Sequence, residues 1–199
     1  MKNPSSLRKT LELVKEKEFS FFILTRFLVI FSLFMQTTVL SYKLYTITGD
    51  PLSLGLIGLA EVIPAFTLAL FAGWFVDKKE KRTMYLLCIV FYIFNALLLA
   101  YLTSNVYTQS HSVKFIAWSI YAAMFLNGCI RAFLAPASFS LLPLLISREK
   151  MSQAITWSST SWMLGSVLGP LCGGVLLAAI GITNTFVFAI GCLSTSVLC

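Results

Sequence analysis

The sequence predicts an all-α membrane protein, a polytopic helical bundle of six transmembrane helices. Three observations predict it. Only 12% of the 199 residues are charged and 58% are hydrophobic, against roughly 25% charged in ordinary soluble domains. Mean hydropathy is +0.85. Several runs exceed the ~20 apolar residues that cross a bilayer, and the chain has room for about six of them. Its charges collect in short breaks between those runs.

The sharpest break is Gly73 to Arg82, GWFVDKKEKR. It gathers Asp77, Glu80 and the bases Lys78, Lys79, Lys81 and Arg82. In so apolar a chain this charge knot must lie in water, as a short loop between two spans.

Taken in order, residues 1–19 form a polar N-terminal segment of mixed charge. Leu7, Leu11 and Val14 recur at i, i+4 and i+7, which gives a short helix one apolar stripe. That stripe suits the membrane surface, or a partner. Residues 20–199 form the transmembrane part. Span one, about Ser20 to Lys43, carries Arg26, Gln36, Thr37 and Thr38, too many polar groups to face lipid all round. Thr48-Gly49-Asp50-Pro51 is a tight turn, with Pro51 suited to start the next helix. Span two, about Ser53 to Val76, contains Glu61 and Pro64. Span three, about Thr83 to Thr103, contains Asn95, and Ser104 to Lys114 reads as a polar loop with the sole histidine, His111.

The apolar stretch Phe115 to Ile146 exceeds one untilted span and contains Arg131, Pro136 and Pro143. It is expected to kink near Pro136 and run on into the loop at Ser147-Arg148-Glu149-Lys150. Span five covers about Trp157 to Ile180, with the serines and threonines at 156–161 as its start, and Gly181 to Asn184 is a short turn. Span six starts near Thr185, and its roughly 15 residues fall short of a crossing. The chain is therefore expected to be cut inside its sixth helix.

The net charge of +7 would suggest nucleic acid on a soluble protein. Here the bases are topological signals, and no nucleic-acid partner is expected. Eleven of the fifteen bases fall in the N-terminal segment, the knot and the Arg148–Lys150 break. The positive-inside rule puts all three, and the N-terminus, in the cytoplasm. The first apolar run is too long for a cleavable signal and should stay as an anchor. The five cysteines make no C-x-x-C pair and mostly lie inside apolar runs, as small buried side chains.

Arg26, Glu61 and Arg131 are the informative residues. A charge at the bilayer centre costs roughly 2.5–3.5 kcal/mol even on lenient scales, so such groups usually face a cavity or a partner and mark a pathway. For Arg26, about 9 Å from the cytoplasmic end at the helical rise, a snorkelling side chain is an equal alternative. Glu61 and Arg131 lie deeper, but their depths differ by about 5–12 Å on the same rise. A direct pair between them stays open. A carboxylate in a span is also a natural proton site: burial favours its protonated form and a nearby cation its ionised form.

Gly165, Gly169 and Gly173 recur at i, i+4 and i+8, followed by Gly174, with Pro170 among them. Such a bare face admits another helix backbone, and Pro170 is expected to kink the helix. No motif of a hydrolase, a Walker loop or a metal site is present. The chain reads as no enzyme, with neither cofactor nor metal.

Gly73-Trp-Phe-Val-Asp77-Lys78-Lys-Glu-Lys81-Arg82 resembles the loop signature G-x-x-x-D-[RK]-x-G-[RK]-[RK] of the major facilitator superfamily, with Glu80 where glycine is commonest. Gly165 to Gly174 resembles its fifth-helix antiporter signature, and Arg131, in Asn127-Gly128-Cys-Ile-Arg131, its fourth-helix arginine motif. The runs Arg131-Ala-Phe to Pro136-Ala137 and Tyr45 to Gly55 are similar to the branch holding enterobactin exporters and bacterial drug-efflux proteins.

The resemblance implies twelve helices in two six-helix halves, of which this chain matches the N-terminal one. It implies alternating access to a midplane site and proton-coupled efflux of a small amphipathic molecule, a drug or a siderophore, across the cell inner membrane. A lysophospholipid or other solute transporter of the same fold is an alternative. So is a half-module that does not transport and acts only by associating with a partner. The implied partners are the bilayer, the small-molecule substrate, protons and the C-terminal half. Helices one and four would line the cavity, with Arg26, Gln36, Asn127 and Arg131. Helices two and five would meet the second half, so that the loop and the span-five glycines face it. The loop residues Gly73, Asp77, Lys78, Lys81 and Arg82 would gate the cycle, with Asp77 holding one state closed.

Overall fold

The computed structural model describes residues 16–198. The surface helix expected over 1–15 lies outside them. Five helices are long and apolar enough to cross a membrane. They are α1 (Lys17–Thr48), α2 (Leu52–Lys78), α3 (Lys81–Leu102), α5 (Val113–Leu145) and α6 (Met151–Leu198). The short α4 (Asn105–Ser110) links α3 to α5.

At 48 residues, α6 would be about 72 Å long if straight, more than twice the bilayer core. It is not straight. Gly181 leaves helical geometry at φ 81, ψ 174, a conformation that glycine adopts without steric cost. Contacts with α1 show that the chain reverses there. Ser161 donates to the Ile23 carbonyl at 3.2 Å, Gly165 packs on Ile30 and Gly173 on Met35, so limb 151–180 runs parallel to α1. In limb 182–198, Phe186 packs in the cluster with Val39, Leu40 and Leu44, while Thr25 donates to the Ser196 carbonyl at 3.4 Å. That limb runs antiparallel to α1. The two limbs are thus two crossings, and the bundle has six.

The predicted spans hold, with three local corrections. The reversal near Gly181 takes one residue rather than four: Gly181 leaves helical geometry, and one turn on the Thr185 hydroxyl donates to its carbonyl at 2.8 Å. The polar loop at 104–114 contains α4, capped by Ser104, whose hydroxyl accepts from the Tyr107 amide. The fifth crossing starts at Met151, after a 3-10 turn over Arg148–Lys150, and the serines and threonines at 156–161 lie inside it. α5 continues as one helix through Pro136 and Pro143, and α6 continues through Pro170 to the expected reversal at Gly181. The turn before α2 is as predicted: Gly49 is left-handed at φ 65, and the Leu52 amide donates to the Asp50 carboxylate at 3.0 Å.

Packing follows a simple plan. α1 lies along both limbs of α6, α2 lies on α5, and α3 touches α5 and α6. Phe19, Phe22, Tyr85, Leu141 and Leu193 belong to a buried cluster at the end that carries the charge knot. Val39, Leu44, Leu99, Ile120 and Phe186 belong to another at the opposite end. The cavity lies beside the first of these clusters, which shares Val29, Tyr85 and Leu134 with its wall.

Candidate functional site

A cavity of about 520 Å³ opens among α1, α2, α3, α5 and limb 151–180 of α6. Three of its wall residues are the intramembrane charges Arg26, Glu61 and Arg131.

Glu61 and Arg131 form an ion pair, with Nη1 2.6 Å from Oε1. The pair left open by the depth argument is therefore made. A long arginine side chain spans the axial offset, and a glycine closes the lateral one. Gly128 lies one turn before Arg131 on α5, and a Cβ there would collide with the Glu61 carbonyl oxygen and stand 2.6 Å from Pro64 Cγ. Its bare backbone lets α5 press on α2 at the level of the carboxylate. Gly128 was not among the predicted site residues. Its only sequence signal was a glycine beside Arg131 in an apolar span. The pair is exposed to the cavity on one side: the Arg131 side chain is 43% exposed and that of Glu61 13%.

Arg26 lines the cavity. Its Nη1 donates to the Ser138 hydroxyl on α5, and its guanidinium lies 5.1 Å from the centre of the Phe139 ring. Ser138 lies seven residues after Arg131 on α5, two turns or about 10 Å along the same face. The cavity thus has two charged levels, a neutralised pair deeper in and a cation nearer the knot. Its apolar wall includes Leu33, Phe34, Trp162 and Met163, with Phe34 and Trp162 edge to face at 6.3 Å. Tyr85 and Ser138, which sequence reasoning did not select, also line it.

Gln36 and Asn127 are buried on α1 and α5 at 6% and 5% exposure, but neither lines the cavity. Helical phase turns them away from it.

The glycine stripe of α6 faces α1, not outward. A Cβ on Gly165 would stand 2.9 Å from Ile30 Cγ2, and one on Gly169 2.6 Å from the Phe31 carbonyl oxygen. The expectation that these glycines face a second half is therefore corrected. The closest backbone approach in this region is internal to the bundle, and glycine is needed there. Gly174 has open space beside it. The exposed face of the same limb carries Val167, Leu171 and Val175.

The knot is a two-residue connection, Lys79 and Glu80, between α2 and α3. Asp77 is exposed, and among the described residues it forms no ion pair with the neighbouring bases. Lys78 Nζ instead lies 3.7 Å from the centre of the Trp74 ring, and Glu80 accepts from the Thr83 hydroxyl at 2.7 Å. Gly73 has open space at its Cβ position.

A six-crossing bundle with a charged cavity in its wall defines a multi-pass membrane protein. Residues 22–199 match the Major Facilitator Superfamily, and the chain belongs to that family. It is 22% identical over 148 residues to the uncharacterised MFS-type transporter YfiS of Bacillus subtilis (strain 168), covering 74% of this chain and 33% of that protein. It is 24% identical over 162 residues to the putative multidrug resistance protein MdtD of Citrobacter koseri, covering 75% of this chain and 31% of that one. MdtD of Cronobacter sakazakii is 24% identical over 157 residues, with the same coverage of 75% and 31%. The chain thus spans about a third of the length of the curated relatives it matches. No solved structure gives a significant match.

Proposed function

We propose that this chain is the N-terminal half of a secondary active transporter that exports a small amphipathic molecule in exchange for protons. The observation that carries the reading is the Glu61–Arg131 pair at 2.6 Å in the wall of a cavity of about 520 Å³. Charges are retained inside a membrane where a polar path needs them. A carboxylate whose partner is a cation can release that partner when protonated, which couples a proton to the opening of the pair. The relatives named as multidrug resistance proteins support export of drug-like molecules.

Alternating access requires a second wall. The apolar faces of α2, with Phe66 82% and Leu70 87% exposed, and of α6 around Leu171 are where a second six-helix half would pack. The location is the cell inner membrane, with the N-terminus and the knot in the cytoplasm, as the bases direct. Asp77 gates the cycle by contacts made in a state other than this one.

The test is transport by the full-length protein in proteoliposomes with an imposed pH gradient. A gradient of either sign should drive accumulation of a fluorescent amphipath in the corresponding direction, and Glu61→Gln should abolish that dependence. Unchanged pH dependence in Glu61→Gln would remove the proton-coupling role.

A further inference from the structure

We infer that Arg26 is an anion subsite of the cavity, and that the substrate is an amphipath bearing a carboxylate, sulfonate or similar acidic group. The inference deepens the transport reading and rests on it.

The charge balance comes first. The cavity wall holds two guanidiniums and one carboxylate. Glu61 is committed to Arg131, so the deeper level is neutral. Arg26 is the charge left over: among the described residues it has no carboxylate within ion-pair distance. A lone cation in a membrane span is costly, and the protein does little to offset it. Arg26 receives one neutral hydroxyl, from Ser138, and the face of the Phe139 ring. Its Nε is buried without any hydrogen-bond partner. A guanidinium offers five donors in a planar fork suited to two acceptor oxygens, and most of that capacity is unspent.

The surroundings fit the rest of such a molecule. Phe34 and Trp162 line the same cavity, with Phe34 eight residues after Arg26 on α1, about 12 Å along the helix. An apolar or aromatic body there, with an acidic head on Arg26, would bury apolar surface and supply the missing counter-charge together. A cationic amphipath would instead meet the uncompensated positive charge.

The experiment uses the full-length protein in nanodiscs of zwitterionic lipid. The probes are 1-pyrenebutyrate, the neutral 1-pyrenebutyramide and a pyrenebutyl trimethylammonium salt, read by quenching of Trp162 fluorescence. A Trp162→Phe variant defines the signal that belongs to the cavity. The carboxylate should bind about ten- to a hundredfold more tightly than the amide, the range of a hydrogen-bonded charge, and the cation most weakly. Arg26→Gln should weaken carboxylate binding far more than amide binding and so remove the preference, and Arg26→Lys should retain part of it. Equal binding of the three probes by the wild-type protein, or stronger binding of the cation, would overturn the subsite, and that comparison needs no variant. Transport failure of every probe despite selective binding of the carboxylate would count against the transport reading and leave the subsite standing.

Discussion

Two acids sit on α2, Glu61 and Asp77, about 16 residues apart, and they behave oppositely. Near the helix middle Glu61 is mostly buried and paired with Arg131 at 2.6 Å. At the end, Asp77 lies beside four bases and pairs with none of them among the described residues. Local charge density is therefore a poor guide to pairing. In water, each base near Asp77 is already solvated, and a surface pair contributes only about 0–1 kcal/mol. Inside the bundle an unpaired ion is costly, so one acid and one base across two helices find each other. The pair joins two helices, and Asp77 joins none among the described residues.

That contrast can be broken most severely at Gly128. Gly128→Ala puts a methyl group into the Glu61 carbonyl oxygen and Pro64, and backbone cannot move aside as a flexible side chain can. We expect a loss of about 3 kcal/mol or more, at the upper end of overpacking costs, read as a fall in folded yield and in thermal unfolding temperature in detergent. A well-folded variant of ordinary stability would mean that α2 and α5 are not pressed together there.

Next in size is the pair. Glu61→Gln leaves Arg131 without its counter-ion, and Arg131→Gln does the same to Glu61. Breaking a buried pair costs about 3–5 kcal/mol. Because the Arg131 side chain is 43% exposed to the cavity, we expect about 1–3 kcal/mol for each, and a double variant much closer to wild type than their sum. Additive losses would mean that the two residues act separately.

A smaller effect sharpens the other side of the comparison. Lys78→Gln removes the cation from the face of Trp74, and should cost about 0.5–1 kcal/mol, with a matching change in Trp74 fluorescence. Smallest is Asp77→Asn, which should move stability by no more than about 0.5 kcal/mol while reducing transport in proteoliposomes. A stability loss as large as that of Glu61→Gln would show that Asp77 has a structural partner. Normal transport would count against its gating role.

Much of the fold was legible. Span two, predicted over Ser53 to Val76, is α2 over Leu52–Lys78, and the other breaks fall within a few residues. Apolar length and the need to satisfy every backbone group inside the bilayer leave few choices. The site was legible in part. Arg26, Glu61 and Arg131 stand out as charges in apolar runs, and the cavity brings all three together. Gln36 and Asn127 stand out for the same reason and are elsewhere. Composition reports that a polar group is in a span, but not which way its helix turns it.

The residues alone were enough for the number of crossings, the loop positions, the family and the three membrane charges, because each depends on local hydropathy, motif or cost. Which helix meets which needed the folded bundle. The stripe Gly165, Gly169, Gly173 says that a backbone comes close, and only the packing shows that it belongs to α1. Likewise the rise along each helix gives depth, while tilt and phase, which bring Arg131 onto Glu61 and Arg26 against Ser138 and Phe139, arise when the helices press together.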